Sequence, residues 1–136
     1  MKIHVVVAAI GTLLLSGCDS SPTTPMMSKS QVQTETTKSV SEAVPGVKFE
    51  VAPATLRACD PPKVAKVSWN AMAAGVSKVK VFVVDESGVE TLFTFSGAEG
   101  SADTGPWVRA KTVFLLKDGD QTKQLGKFIV GSENCT

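Results

Sequence analysis

The residues able to carry catalytic chemistry are few and widely spaced. The chain of 136 residues has one histidine, His4, and three cysteines, Cys18, Cys59 and Cys135. Histidine supplies most general acid–base groups at neutral pH and, with cysteine, most zinc ligands. If the segment that holds His4 is removed on export, the mature chain has no imidazole. We therefore expect no catalytic residue, no Ser-His-Asp or Cys-His arrangement, no histidine metal site and no cofactor.

Paired carboxylates are the remaining catalytic option. Asp118 and Asp120 flank Gly119 between two predicted strands, where aspartate and glycine are typical turn residues. A glycosidase would need two such carboxylates across a substrate cleft, and a calcium loop would need further oxygen ligands that this stretch lacks. The pair is interpreted as a turn, and the protein is predicted not to be an enzyme.

The N-terminus has the pattern of an export signal. Met1-Lys2 carries one side-chain charge, Ile3 to Leu15 is almost entirely apolar, and the small residues Ser16-Gly17 follow. An apolar helix needs about 20 residues to cross a bilayer, so this run is too short to be an anchor. Residues 1–17 are predicted to be a cleaved signal peptide.

The residues around the first cysteine carry a family resemblance. Leu15-Ser16-Gly17-Cys18 resembles the lipobox of bacterial lipoproteins. That resemblance implies a diacylglycerol on the Cys18 thiol, cleavage just before it and further acylation of the new amino group. Two or more acyl chains give stable attachment, so the membrane is the first expected partner. The alternative is an ordinary secretory signal with an incidental cysteine.

The residue after this cysteine bears on localisation. Asp19 resembles the signal that keeps lipoproteins of enteric-type bacteria in the inner membrane. We therefore expect a lipid-anchored protein on the periplasmic or external face of a bacterial membrane, with the inner membrane favoured.

Residues 18–46 change composition sharply, to Ser, Thr, Gln, Lys, Glu and Pro. So little apolar area cannot offset the entropy of ordering the backbone. This segment is predicted to be the lipidated cysteine and a disordered linker. A short helix over Lys38 to Ala43, stopped by Pro45-Gly46, is left open as an alternative.

Residues 47–136 are predicted to form one small all-β domain. Short segments rich in β-branched and aromatic residues alternate with turn signals, and none has the helix period. The glycine-rich stretch SGAEGSADTGP, residues 96–106, is interpreted as a long loop. Six or seven strands at this spacing favour an antiparallel β-sandwich of immunoglobulin-like arrangement. The predicted strands are 47–51, 54–59, 63–69, 77–86, 90–95, 112–117 and 123–130.

Two of these segments resemble fibronectin type III domains. KVSWNAM, which includes Trp69, is similar to the second strand of that family, and VKVFVVD, from Val79, to the next one. The resemblance implies a two-sheet sandwich, and Trp69 is expected in its core because it closes an alternating strand. The chain departs from the family in having no tyrosine, so the corner hydrogen bond of that family is not expected.

Cys59 and Cys135 bracket most of the domain and are predicted to form a disulfide. Exported proteins fold in an oxidising compartment, and the first and last strands of a sandwich can end at the same pole. The alternative, reactive or metal-binding thiols, lacks a C-x-x-C spacing and a neighbouring histidine.

Charge argues against nucleic acid as a partner. Fourteen Lys and Arg are balanced by thirteen Asp and Glu, and the signs are interspersed without a basic stripe.

The candidate binding residues are Trp107 and Arg109, in the stretch SADTGPWVRAK. Alternation places them on one side of an extended segment, and both residue types are enriched at interface hot spots. The competing interpretation is that Trp107 closes the core beneath a loop and leaves Arg109 merely exposed. The function expected is a non-catalytic module that binds or assembles with an envelope protein. The alternative is a module that binds cell-wall carbohydrate, with Trp107 as a stacking platform.

Overall fold

The computed structural model describes residues 36–136, which form packed β-sheets and a single 3-10 turn at Met72–Ala74. None of the helical structure in this part of the chain is long and apolar enough to cross a membrane. Ten strands lie within the described residues: β1 Val40–Ala43, β2 Lys48–Ala52, β3 Thr55–Arg57, β4 Lys66–Asn70, β5 Lys78–Val84, β6 Glu90–Gly97, β7 Glu99–Asp103, β8 Val113–Asp118, β9 Gln124–Ile129 and β10 Gly131–Glu133.

The larger sheet has five strands in the order β1-β9-β8-β5-β6, and all its pairs are antiparallel. β5, the segment richest in β-branched residues, lies between β8 and β6. Val79 and Val81 of β5 are fully buried while Lys78 is exposed, as expected for a strand with one face on the core.

The smaller sheet has three antiparallel strands in the order β2-β4-β7. Phe49 and Val51 of β2, and Val67 and Trp69 of β4, alternate with more exposed neighbours and are buried. Trp69 is 4% exposed, and its Nε1 donates a hydrogen bond to the carbonyl of Gly97 at 3.1 Å. The prediction that Trp69 belongs to the core is confirmed.

One hydrophobic core lies between the two sheets. Both inner faces contribute to it, and β-branched or aromatic side chains predominate. The prediction of a small antiparallel β-sandwich is therefore confirmed, and each of the seven predicted segments overlaps a strand. The largest fully buried side chains are those of Phe49, Phe114, Leu116, Leu125, Val67, Val79, Val81, Val108 and Val130.

The backbone pairs with a different strand on each side of Pro53, and β2, directly before it, pairs with β4. Proline has no N–H to donate to a ladder, and beyond it β3 pairs in parallel with β10. Arg57 lies opposite Glu133 in that pair, so two further residues on each strand bring Cys59 beside Cys135. Their Cα atoms are 5.9 Å apart and the sulfurs are bonded. The predicted disulfide is confirmed, and parallel pairing is what brings its ends together.

The sheet begins earlier than the predicted domain boundary at residue 47. β1 lies inside the segment assigned to the linker, at the place where a short helix had been the alternative, and it pairs along its whole length with β9. All four of its residues are exposed. Backbone hydrogen bonds at a sheet edge need no buried face, so this strand has no alternating apolar pattern that a sequence could display.

The predicted loop at residues 96–106 is also corrected, because β7 lies within it and pairs with β4. Its glycine has a packing role. A Cβ at Gly100 would lie 3.0 Å from Cζ2 of Trp69. Glycine within a strand often marks such a close approach. In the sequence, the same glycine was interpreted as part of a loop.

Candidate binding site around Trp107

The segment that presents Trp107 is held by backbone hydrogen bonds on both sides. The buried hydroxyl of Thr104 accepts a hydrogen bond from Ala65 N at 2.9 Å, and Thr104 N donates to Ala65 O at 2.8 Å. Val108 exchanges two hydrogen bonds with Lys63, at 2.9 and 3.1 Å, and its side chain is fully buried. Trp107 therefore stands on a fixed stretch of chain although it lies in a turn.

The indole of Trp107 packs on two phenylalanines of the larger sheet. Its ring centroid lies 6.0 Å from that of Phe93, edge to face, and 6.0 Å from that of Phe114 in a tilted arrangement. Phe114 is fully buried, yet Trp107 is 40% exposed. Both sequence interpretations thus describe part of the geometry, because the ring covers one end of the core and also presents a surface to solvent.

Phe93 reaches this position through a β-bulge. Thr94 lies opposite Val81 and Leu92 lies opposite Phe82, so Phe93 is an extra residue in β6. A bulge turns the side chain away from the regular alternation, and Phe93 packs against the core and Trp107.

Two grooves flank the indole. The first, here called the apolar groove, has a volume of about 350 Å³ and is lined by Val83, Thr91, Leu92, Phe93 and Trp107. The only polar side-chain groups in this lining are the hydroxyl of Thr91 and the indole N–H of Trp107.

The second groove, here called the charged groove, has a volume of about 660 Å³. Trp107 and Val83 line it too, together with acidic Asp85 and Glu86 and basic Arg109 and Lys111. The apolar groove and the charged groove therefore meet at Trp107 and Val83.

Arg109 lies on the same side as Trp107, since Val108 between them points into the core. Its backbone is fixed: Arg109 N donates to the Thr112 hydroxyl at 3.0 Å, and Thr112 N donates to Arg109 O at 3.2 Å. The guanidinium is exposed and forms no salt bridge with any residue of the described part. The Arg109 side chain is therefore open to solvent beside the charged groove.

The carboxylate of Asp118 stabilises the turn between β8 and β9 through hydrogen bonds within that turn. Asp118 accepts hydrogen bonds from Thr122 N at 2.8 Å and from the Thr122 hydroxyl at 2.7 Å. The bond from the Thr122 side chain is the main reason that the pKa of Asp118 is lowered. Between residues 36 and 136 no group of three or more His, Cys, Asp or Glu side chains is arranged to hold a metal ion.

Three predicted site residues remain: Cys18, Cys59 and Cys135. Cys18 and Asp19 are outside the described residues, as is His4. The disulfide of Cys59 and Cys135 connects the β3 and β10 ends and is not part of the Trp107 surface.

Sequence reasoning missed Phe93, which packs beneath the indole, and Leu92, which lines the apolar groove beside it. Phe93 and Leu92 stand in a segment predicted only as a strand, and the bulge that re-aims Phe93 has no signal in one sequence. The sequence offers one hint. Four bulky apolar residues lie close together there, which is more than one buried face of a strand requires: Val89, Leu92, Phe93 and Phe95.

Models of protein families, curated proteins and solved structures were each compared with the chain, and none matched.

Proposed function

We propose that this protein is a bacterial envelope lipoprotein whose sandwich binds a protein partner through Trp107 and Arg109. Acyl chains on Cys18 hold it to the membrane, and Asp19 retains it in the inner one. Eighteen residues lie between Cys18 and Thr37, the first described residue that hydrogen-bonds to the sandwich, and a chain of that length reaches at most about 65 Å. The site can thus act within that distance of the bilayer.

The observation that carries the proposal is the 40% exposure of an indole that is fixed from below by two aromatic rings. An aromatic side chain already held in one orientation loses little entropy when a partner covers it. Tryptophan and arginine are also the residue types that most often dominate interface energies. The fixed backbone of residues 104–112 supports a preorganised surface.

A protein partner is favoured over a glycan by the lining of the apolar groove. A sugar stacked on the indole would direct many hydroxyl groups toward the surrounding residues, and these need hydrogen-bond partners when buried. Val83, Leu92 and Phe93 provide none, whereas they match an apolar protein side chain. Because of this lining, we favour a protein partner over a carbohydrate.

A non-catalytic role is part of the proposal. The single histidine of the chain, His4, precedes the predicted cleavage site. Asp118 and Asp120 belong to the β8–β9 turn, where the Asp118 carboxylate is engaged by Thr122. The fibronectin type III resemblance of the third and fourth predicted strands, 63–69 and 77–86, remains part of the same proposal, since β4 and β5 lie in opposite sheets.

Crosslinking in intact envelopes tests the partner. The full-length protein and the variants Trp107→Ala and Arg109→Ala are expressed, crosslinked and captured, and the protein captured with the unaltered chain is purified. We expect direct binding that Trp107→Ala weakens by about 30-fold, the effect of a 2 kcal/mol hot spot.

Two matched variants serve as controls. Met72→Ala removes an apolar side chain that is 63% exposed in the 3-10 turn between β4 and β5, and Arg57→Ala removes an exposed arginine near the disulfide. Both should bind as the unaltered chain does. Equal binding by all four variants, or retention on purified peptidoglycan that only Trp107→Ala abolishes, would contradict the proposal.

The anchor is tested separately by mass spectrometry of the purified protein. A mature N-terminus at Cys18 with the mass of two or three acyl chains is expected, and Cys18→Ser should release the protein from membranes. An unmodified thiol or another N-terminus would overturn this part alone.

A further inference from the structure

The outer strand β6 has an open edge beside the apolar groove. β6 pairs with β5 on one side, and no strand of the described residues pairs with its other side. It is eight residues long, ETLFTFSG, with one charged residue at its start and no proline. Long uncharged edges are ready templates for another strand, and proteins usually protect them with lysine, proline or short length.

The other free edges of the two sheets carry such protection. β1 has four residues, one of them Glu42. β2 exposes Lys48 and Glu50 and stops before Pro53. β7 has an acidic residue at each end. β6 is thus the longest of the four free edges, and only its first residue is charged, although Lys78 and Lys80 of β5 each place their ammonium group 5.6 Å from the centroid of the Phe95 ring.

The hydrogen-bond pattern identifies which backbone groups of β6 face outward. Asp85 N bonds to Val89 O, and Ala98 N bonds to Ser77 O, which sets the phase at both ends of the β5–β6 ladder. Bonded and non-bonded pairs alternate along an antiparallel ladder. With the observed register, Leu92 before the bulge and Phe95 after it turn their N–H and C=O groups away from β5.

Exposed apolar side chains are concentrated at the same edge. Leu92 is 50% exposed, Phe95 is 51% exposed and Val89, just before β6, is 56% exposed. With Trp107 they are four of the seven large apolar side chains exposed in the described part. The bulge at Phe93 interrupts the edge, which disfavours long sheet-to-sheet pairing with a second copy and leaves room for a short strand.

We infer that the partner contributes one extended segment that adds to β6 as a further strand and places an apolar side chain in the apolar groove against Trp107. The inference rests on the proposed function and specifies its chemistry. Backbone hydrogen bonds supply affinity, and the groove selects the side chain, as in other cases of strand addition.

Selection from a library of random linear peptides tests this with the full-length chain in detergent. A selected peptide is expected to slow hydrogen exchange at the Leu92 and Phe95 amides by about tenfold or more, while amides of the β2 edge stay unchanged. Trp107→Ala should weaken the peptide by about tenfold or more. Methylation of a peptide amide should abolish binding when that amide faces the β6 edge. Methylation of the amides between them, which face away from β6, should leave binding unchanged.

The outcomes separate this inference from the proposed function. A peptide that requires Trp107 but leaves the Leu92 and Phe95 amides unprotected overturns strand addition and leaves the site in place. A peptide that protects these amides regardless of Trp107→Ala supports strand addition and removes Trp107 from the function. Selection of no peptide, or protection of these amides by concentration-dependent dimerisation alone, overturns the inference.

Discussion

Gly105 lies against the indole of Trp107, with no room for a larger residue between them. A Cβ at Gly105 would be 2.8 Å from Cδ1 and 3.0 Å from Nε1 of Trp107. The absence of a side chain at residue 105 therefore sets the position of the ring on Phe93 and Phe114.

Gly105→Ala is expected to displace the indole toward solvent, with a cost in folding stability of about 1 kcal/mol or less because the ring is already partly exposed. Acrylamide quenching of tryptophan fluorescence measures the change, since Trp69 is buried and Trp107 is the accessible indole. Quenching should rise in Gly105→Ala. Gly97→Ala is the control, because a Cβ there meets its nearest atom at 3.9 Å. Unchanged quenching in Gly105→Ala would contradict the steric argument.

Thr104→Val should destabilise the domain by about 1–3 kcal/mol, because it leaves the Ala65 N–H buried without its acceptor. Valine has nearly the shape of threonine, so the loss reports the hydroxyl group. Thr104→Ser keeps the hydroxyl and should retain most of the stability. Urea unfolding of the two variants gives the comparison, and equal midpoints for valine and serine would show that the hydrogen bond contributes nothing.

The disulfide closes a span of 76 residues, and on the chain-entropy account its loss costs about 4 kcal/mol. The double variant Cys59→Ser, Cys135→Ser should therefore unfold at much lower urea concentration than the unaltered chain. Adding a reductant should bring the unaltered chain to the same midpoint. Cys18→Ser should keep the high midpoint, and a reductant-insensitive midpoint in the unaltered chain would refute the prediction.

Acid should weaken the β8–β9 turn through Asp118. The hydrogen bond from the Thr122 hydroxyl lowers the pKa of Asp118 in the folded state, so the folded state favours the charged carboxylate. This stabilisation is present above the unfolded pKa of about 4 and is lost as the pH falls through the lower folded value.

Asp118→Asn removes that titration, so it should lose less stability than the unaltered chain when the pH is lowered from about 6 to about 2. Denaturant unfolding at the two pH values measures the difference. The control is Asp120→Asn, whose parent side chain forms no hydrogen bond within the described residues, and it should follow the unaltered chain. Identical pH dependence in Asp118→Asn and the unaltered chain would exclude this role.

Several elements could be predicted because each leaves a local trace. The alternation of Phe49 and Val51, and of Val67 and Trp69, reflects one buried face and is visible in one dimension. The pairing of Cys59 with Cys135 followed from the expectation of export and from the positions of the two residues in the domain. By contrast, β1 and β7 are held by backbone pairing with distant strands, and neither presents an alternating apolar pattern.

The candidate site likewise has a part that the sequence predicted and a part that it did not. Residue types and spacing singled out Trp107 and Arg109, and they correctly placed both on one side of the chain. The bulge that brings Phe93 beneath the indole depends on the register between β5 and β6, which no single segment contains.

By itself, the sequence determined that most of the described chain builds an all-β sandwich and that Cys59 pairs with Cys135, since burial on one face and an even, widely spaced pair of cysteines leave marks in composition and spacing. Only the tertiary structure decided which strands end a sheet, that β6 is left open beside Trp107, and that the indole is half covered. These properties depend on which distant strands are neighbours, and pairing between backbones leaves no mark on side-chain order.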